Sequence, residues 1–284
     1  METIVCSAGG AEVIISPTHP FVLIGERINP DGGLRKEITR ALAEKDADFL
    51  IFEGQSQIDQ GAHILDVNAQ AEEISDEPET LAWAVETLTT KVNAPLAIDT
   101  NNFDALKAAL EVSQGKVIIN SVTGANSSLE NILPLAVQYK TALIGLTMDE
   151  DGIPANAQSR FEIARKILQR ADDFGIPAED LIIDPLTISV GVDHHAGVIS
   201  TQTIGLIQNE LRLNLTTGLS NISFGMPRRE LINDVYLSMS IANGLNSAIV
   251  DPQTTRTLLL AADLLMGKDE YGLRFVKDFR SSKK

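Results

Sequence analysis

The chain has 284 residues and an apolar fraction of 44%, which suits one large α/β domain or two small ones. Its formal net charge of −16 argues against nucleic-acid binding and against anionic membrane surfaces, because both require a basic face. No apolar run approaches the roughly 18 residues that span a bilayer, and Glu2 stands where a secretion signal carries basic residues. Cys6 is the only cysteine, so we expect a cytoplasmic protein without internal disulfides.

The N-terminal residues 1–20 carry the pattern of a β-hairpin, because "TIVCS" and "EVIIS" flank the small-residue turn "AGGA". We expect this hairpin to close the bottom of the domain that follows and to serve stability rather than chemistry. The whole chain, 1–284, is predicted to be a single domain. It consists of the hairpin, a barrel at 21–265 and a C-terminal tail at 266–284.

From residue 21 onward, short apolar segments alternate with segments of helical period. The apolar segments lack the polar alternation of half-exposed strands, so they are predicted to be strands buried on both faces. They are residues 21–26, 62–67, 95–99, 117–120, 142–148, 181–184, 215–221 and 247–251.

Helix boundary signals fall between these strands. Ser159 and Glu162 have the spacing of a capping box, and Gly175 is placed to end the same helix. Asp251 followed by Pro252 predicts the start of another helix, with Asp251 as its N-cap.

Eight strands alternating with helices in a chain above 250 residues predict an α/β fold of the (β/α)₈ TIM-barrel type, with the hairpin added at its N-terminus. The alternative is an open, doubly wound parallel sheet. That fold usually carries a Gly-rich phosphate loop after its first strand, whereas this chain has "GERINPDGG" there. The barrel is therefore the preferred prediction.

Polar side chains stand at the carboxyl ends of nearly all these strands, where a barrel builds its active site. Asp and Asn also favour turns and N-caps, so each of these residues has a purely structural alternative, above all Asp184 and Asp251, which both precede proline. The residues at these positions, in chain order, are Glu26, Asn29, Asp66, Asn68, Asp99, Asn120, the apolar Met148 with Asp149 beside it, Asp184, Asn221 and Asp251.

Several chemistries are disfavoured by what is missing. No lysine stands at a strand end, which argues against a Schiff-base aldolase, and no nucleophile elbow is present. Asp193, His194 and His195 form the only metal-like cluster, and we expect a polar loop or lid there rather than a metal, because adjacent histidines seldom share one ion. A mouth lined by Asp and Asn suits a flat heterocycle such as a pterin, whose edge presents fused donors and acceptors.

Seven stretches, in order, resemble the pterin-binding methyltransferases. They are "LIGERINP", "ILDVNAQ", "LAIDTNN", "VIINSVTG", "LIGLTMDEDGIP", "DLIIDPLTISVG" and "GLSNISFGMPRRELIN". The chain is most similar to the methyltetrahydrofolate:corrinoid protein methyltransferases, with the folate domain of cobalamin-dependent methionine synthase as a larger relative. The resemblance implies a TIM barrel that forms homodimers and moves a methyl group between N5 of tetrahydrofolate and the cobalt of a corrinoid on a partner protein.

The resemblance also implies site roles. Asn221 matches the residue that hydrogen-bonds N5 and is the expected catalytic residue, and Arg229 matches an arginine in the same loop, which could contact the folate tail. The expected ligands of tetrahydrofolate or methyltetrahydrofolate are Asp99, Asn120, Asp184, Gly218, Asn221, Ser223 and Arg229, with Glu26, Asn29, Asp66, Asn68 and Met148 as a second tier and no metal.

Two alternatives stay open. A dihydropteroate synthase would need a lysine near the seventh strand and a Ser-Arg-x-His stretch near the eighth, and neither is present. A non-catalytic folate-binding subunit would keep the pocket without the methyl transfer. Phe224 stands where the corrinoid methyltransferases carry a polar glutamine, which leaves the direction of transfer open.

Overall fold

The computed structural model describes residues 1–30 and 35–281, with only the backbone of Arg35. Its β-strands agree closely with the predicted apolar segments, except in the seventh strand of the barrel. They are β1 Thr3–Cys6, β2 Glu12–Ile15, β3 Val22–Ile28, β4 Ile64–Val67, β5 Leu96–Asp99, β6 Ile118–Thr123, β7 Ala142–Leu146, β8 Leu181–Asp184, β9 Asn214–Leu215 and β10 Ser247–Val250.

Helices connect these strands, as the alternating pattern predicts. They are α1 Arg35–Glu44, α2 Ala47–Asp59, α3 Glu77–Lys91, α4 Phe103–Val112, α5 Asn126–Tyr139, α6 Ala157–Asp173, α7 Ala196–Glu210, α8 Arg229–Ala242, α9 Pro252–Leu265 and α10 Leu273–Ser281. Among the described residues, no helix is long and apolar enough to cross a membrane.

Strands β3 to β10 form one eight-stranded parallel sheet in the order β10-β3-β4-β5-β6-β7-β8-β9. The sheet closes on itself between its two edges, where Gly218 and Ile249 form a parallel bridge and the Ile249 N–H donates to the Thr217 carbonyl over 2.9 Å. The predicted (β/α)₈ barrel is confirmed. We call the end of the barrel at the C-terminal ends of these strands the mouth, and the opposite end the base.

The seventh strand of the barrel is shorter than predicted. Pairing in β9 stops after Leu215, and the predicted strand residues 219–221 lie in a 3₁₀ helix that spans Leu219–Ser223. Asn221 is therefore carried on a tight turn above the mouth and not at the end of a strand.

The predicted hairpin is confirmed, and it lies at the base. β1 pairs with β2 antiparallel, and Cys6 forms a backbone bridge with Lys116, just before β6 begins. Val5 and Ile15 are fully buried against the inward-facing residues of the barrel strands. The hairpin thus closes the base with apolar side chains.

Two of the three helix boundary predictions are confirmed. The Asp251 carboxylate accepts the Gln253 N–H at the start of α9, and Gly175, with φ +80°, follows the C-cap of α6. The predicted capping box at Ser159 is wrong. The N-cap of α6 is Asn156, whose side chain accepts the Ser159 N–H over 2.8 Å, because an Asn three residues earlier reaches the same free N–H groups.

The predicted C-terminal tail contains α10, which packs on α9 through an ion pair between Arg256 and Asp278. Residues 282–284 of that tail lie outside the described residues. The division of the chain at residues 20 and 265 stays a prediction.

Candidate functional site

Two carboxylate–amide pairs lie at the mouth, on the side formed by β4, β5 and β6. The Asn120 amide donates to the Asp66 carboxylate over 3.0 Å, and the Asn68 amide donates to the Asp99 carboxylate over 3.0 Å. Asp66 and Asn120 come from strands that flank β5, so their side chains meet inside the barrel. The sequence places all four residues at strand ends, and the structure brings them together in pairs.

Among the described residues, no cation pairs with Asp66, which is buried, or with Asp99, which is half-buried. Burial, followed by the charge of Asp99, raises the pKa of Asp66 well above its ordinary value. Burial also raises the pKa of Asp99 to about 6, although the Asn68 hydrogen bond opposes this shift. The Asp99 carboxyl can therefore exchange a proton close to neutral pH, and both carboxyls can accept hydrogen bonds when ionised.

An open cleft borders this first group. It has a volume of about 550 Å³, which falls in the usual range for small-molecule sites. Three of the predicted folate ligands, Asp99, Asn120 and Met148, line it together with residues that the sequence did not single out, such as Gln70 and Asn102.

A second group lies across the mouth, at the ends of β8 and β9. The Asp184 carboxylate accepts the Leu186 N–H over 2.8 Å, and the Gly218 N–H and the Thr217 hydroxyl also face it. Burial raises the pKa of Asp184 to about 6, against the effect of these donors. Asp184 is thus more than the turn residue that its neighbouring proline would allow.

Asn221 belongs to this second group. Its amide nitrogen lies 3.0 Å from the point where a Cβ on Gly218 would stand, so the bare Gly218 backbone leaves room for the amide. The Asn221 side chain is exposed at the mouth. A ligand in the mouth could therefore reach it directly.

Glu26 holds the turn that carries Asn221. The Ser220 hydroxyl donates to the Glu26 carboxylate over 3.1 Å. Arg229 holds the same turn from its other side, donating to the Ser220 carbonyl over 2.8 Å and to the Ser223 hydroxyl over 3.1 Å. Burial raises the pKa of Glu26 to about 7.

Other predicted site residues contact the loops of the mouth or lie beneath them. The guanidinium of Arg229, expected to meet the folate tail, binds its own loop, although part of it is exposed. Asn29 is half-buried near the end of β3, and Ser223 is fully buried beneath the turn.

Sequence reasoning missed several residues of the site. Arg160 of α6 is 1% exposed and donates to the carbonyls of Pro185 and Leu186, which shapes the loop beside Asp184. Glu77 accepts from Thr100 and Asn102 at the edge of the cleft. No spacing in the sequence marks Arg160, whereas Glu77 stands beside a proline that indicates only a helix start.

The histidine pair lies in the loop before α7. The rings of His194 and His195 are 3.9 Å apart and exposed. In residues 1–30 and 35–281, no group of three or more His, Cys, Asp or Glu side chains is arranged to hold a metal ion.

Comparison with known proteins adds three kinds of similarity. The model of the family described as pterin binding enzyme matches residues 36–251. The chain is 30% identical over 270 residues to the methylcorrinoid:tetrahydrofolate methyltransferase of Eubacterium limosum, covering 93% of this chain and 97% of that protein. It is 29% identical over 242 residues to the methionine synthase of Mycobacterium tuberculosis, covering 81% of this chain but 20% of that longer protein.

The fold resembles solved dihydropteroate synthases. One, from Yersinia pestis with a pterine-sulfa conjugate, has a TM-score of 0.68 at 13% identity and covers 94% of this chain and 100% of its own. Another, from Xanthomonas albilineans with 4-aminobenzoic acid, has a TM-score of 0.67 at 16% identity and covers 92% of this chain and 97% of its own. At these identities the similarity concerns the fold alone.

Proposed function

Since this chain belongs to the pterin-binding enzyme family, we propose that it is a methyltransferase that moves a methyl group between N5 of tetrahydrofolate and the cobalt of a corrinoid on a partner protein. The observation that carries the proposal is the arrangement of the mouth. Buried carboxylate–amide pairs border an open cleft on one side, and Asn221 stands exposed on the other.

The first group suits the hydrogen-bonding edge of a pterin. The ring's amino group and its protonated ring nitrogen are donors, and ionised Asp99 can accept two parallel N–H bonds. Asn120 donates to Asp66 and keeps its carbonyl oxygen available to a ring donor. We assign the pyrimidine side of the pterin to Asp99, Asn120 and Asp184, with Asn68 orienting Asp99 and Asp66 orienting Asn120.

The methyl transfer is a displacement at carbon. In one direction the N5 lone pair attacks the methyl carbon of methyl-cobalt(III), and the cobalt–carbon bond breaks with both electrons left on cobalt, giving cob(I). The proton on N5 is then released to solvent. In the reverse direction cob(I) attacks the methyl carbon, and N5 must gain that proton as the carbon–nitrogen bond breaks.

Asn221 cannot supply the proton, because its amide does not titrate near neutral pH. Its carbonyl oxygen can accept a hydrogen bond from N5–H, and this bond strengthens as N5 becomes cationic. Such a bond stabilises the transition state more than the ground state, which is what lowers the barrier. The turn held by Glu26 and Arg229 fixes the position of Asn221.

The corrinoid is too large for the barrel and must reach N5 from outside. The rim beside Asn221 exposes apolar side chains, with Phe224 70% exposed and Val192 82% exposed. We place the corrinoid protein on this rim. A homodimer in the cytoplasm is the further expectation that the family resemblance and the single cysteine support.

The test mixes the purified protein with methyltetrahydrofolate and free cob(I)alamin and follows the absorbance of cob(I). We expect cob(I) to disappear at a rate proportional to enzyme, and the reverse mixture of methylcobalamin and tetrahydrofolate to release it. Folate that binds by calorimetry with no change in cob(I) would make the protein a non-catalytic folate-binding subunit. Condensation of a pterin pyrophosphate with 4-aminobenzoate would make it a dihydropteroate synthase.

A further inference from the structure

A row of buried hydroxyl groups lies behind Asp184, away from the mouth. The Thr187 hydroxyl is 2.9 Å from that of Thr217 and 2.7 Å from that of Tyr236. The Ser200 hydroxyl is 2.6 Å from that of Tyr236. These four side chains are at most 6% exposed, and they come from four different parts of the chain: the loop after β8, the segment after β9, α7 and α8.

The direction of the hydrogen bonds in this row follows from its end at Asp184. An ionised carboxylate only accepts, so the Thr217 hydroxyl, which faces Asp184, can act only as a donor towards it. Because a hydroxyl has one proton to donate, Thr217 accepts the hydrogen bond from the Thr187 hydroxyl. For the same reason, the Thr187 oxygen accepts the hydrogen bond from the Tyr236 hydroxyl. Burial raises the pKa of the Tyr236 phenol, so that group stays protonated and can donate.

Within residues 1–30 and 35–281, few other charged groups face Asp184. Arg160 from α6 is the cation near it, but its guanidinium is bound to the carbonyls of Pro185 and Leu186. Tyr236 from α8 is the titratable group on the opposite side. The charge of Asp193 affects the pKa of Arg160 rather than that of Asp184. The N–H groups of Leu186 and Gly218 also face the carboxylate, so hydroxyl and backbone donors stabilise it.

We propose that Tyr236 is a positioning residue of the folate site, which acts through Thr187 and Thr217 to keep Asp184 ionised and facing the mouth. Hydrogen bonds in a chain polarise one another, so a donor at the far end strengthens the bond made at the carboxylate. The role of Asp184 in folate binding rests on the proposed function, whereas the effect of Tyr236 on Asp184 does not depend on it.

The experiment measures the ionisation of Asp184 directly in the ligand-free protein. Aspartate labelled with ¹³C at the carboxyl carbon is incorporated, the Asp184 resonance is assigned by its loss in Asp184→Asn, and its titration midpoint is recorded. We expect Tyr236→Phe to raise the midpoint by about 0.3 to 0.5 pH unit and Thr217→Val by about 1 unit. Tyr139→Phe, which removes a half-buried phenol on α5, is the matched control and should leave the midpoint unchanged.

If the Asp184 midpoint is unchanged in Tyr236→Phe but shifts in Thr217→Val, only Thr217 affects the ionisation of Asp184. That result would overturn the proposal. If Tyr236→Phe does not fold, Ser200→Ala serves in its place, with a smaller upward shift expected and no shift contradicting the proposal.

Tetrahydrofolate affinity measured by calorimetry across the same pH range separates the two claims. In Tyr236→Phe, we expect the loss of tetrahydrofolate affinity at low pH to begin at a higher pH, by the same amount as the Asp184 midpoint rises. A wild-type protein that binds no tetrahydrofolate would overturn the proposed function, while a shifted carboxyl resonance would still support the hydroxyl chain.

Discussion

Four carboxyl groups at the mouth differ from those at the base of the barrel, whereas a fifth at the mouth, Asp251, pairs with Arg27 over 2.9 Å. At the base, Asp263 is 3% exposed, pairs with Arg274 over 2.8 Å and accepts the Phe21 N–H over 3.0 Å. Asp180 at the same end pairs with Lys116. At the mouth, Asp66 and Asp184 are buried and Glu26 and Asp99 are half-buried, yet none of the four forms an ion pair among the described residues.

The difference separates groups that hold the fold together from groups that cost it stability. A buried carboxylate with a cation and N–H donors offsets much of its lost hydration, whereas one without a cation remains costly and raises its own pKa. The four mouth carboxyls therefore lower the stability of the folded protein when they are ionised. A ligand with N–H donors would relieve that cost, which is the physical link between this geometry and a pterin.

The largest expected effect concerns Asn221 at the mouth. We expect Asn221→Ala to lower kcat for cob(I) methylation by about 100- to 1,000-fold, because a hydrogen bond that strengthens in the transition state is lost. Folate affinity measured by calorimetry should change little. An unchanged kcat would remove Asn221 from the mechanism and leave the mouth with a binding role only.

The next effect concerns stability at the base. We expect Asp263→Ala to lower the free energy of unfolding in urea by about 3 kcal/mol, because it leaves the Phe21 N–H and Arg274 without their buried partner. The control Asp278→Ala breaks a more exposed pair with Arg256 and should cost less than about 1 kcal/mol. Methyl transfer per folded molecule should persist in both. If Asp263→Ala lowered it, the base would not be purely structural.

The loss of folding stability caused by a mouth carboxyl can be measured at Glu26. Its folded pKa of about 7 lies above the unfolded value near 4.5, so the folded state binds more protons between these values and loses stability as the pH rises through them. Glu26→Gln removes this loss. Relative to wild type, the variant should therefore gain about 2 kcal/mol in urea unfolding between pH 5 and pH 8. An equal difference at both pH values would contradict the raised pKa of Glu26.

The sequence predicted the barrel well because buried parallel strands are continuous apolar segments with a simple signature. It also predicted which strand ends carry polar side chains. It could not predict that Asn120 pairs with Asp66 rather than with its neighbour Asp99, since that choice depends on which side chains point into the closed barrel. Strand β9 was predicted too long because "TTGLSN" contains no proline to mark the turn.

Residues that act through other residues left no signal in the sequence. Ser220 and Thr217 are ordinary loop hydroxyls until the fold places them against Glu26 and Asp184. Tyr236 has the helical spacing of a core residue, and it is buried like one. Sequence reasoning finds groups that can touch a ligand, whereas the groups that orient them become visible only when distant segments are brought together.

Two glycines offer the finest test of the comparison. A Cβ on Gly218 would meet only the Asn221 amide, at 3.0 Å, while a Cβ on Gly115, with φ +82°, would stand 2.2 Å from the Cys6 carbonyl in the hairpin. We expect Gly218→Ala to displace the Asn221 amide and lower kcat about tenfold at nearly unchanged Tm, because a shift of a catalytic group is enough to lose rate. Gly115→Ala should lower Tm and leave kcat per folded molecule unchanged. The added Cβ would clash with the Cys6 backbone, which cannot move aside as a side chain can. A loss of Tm in Gly218→Ala without loss of rate would reverse the roles assigned to the two ends of the barrel.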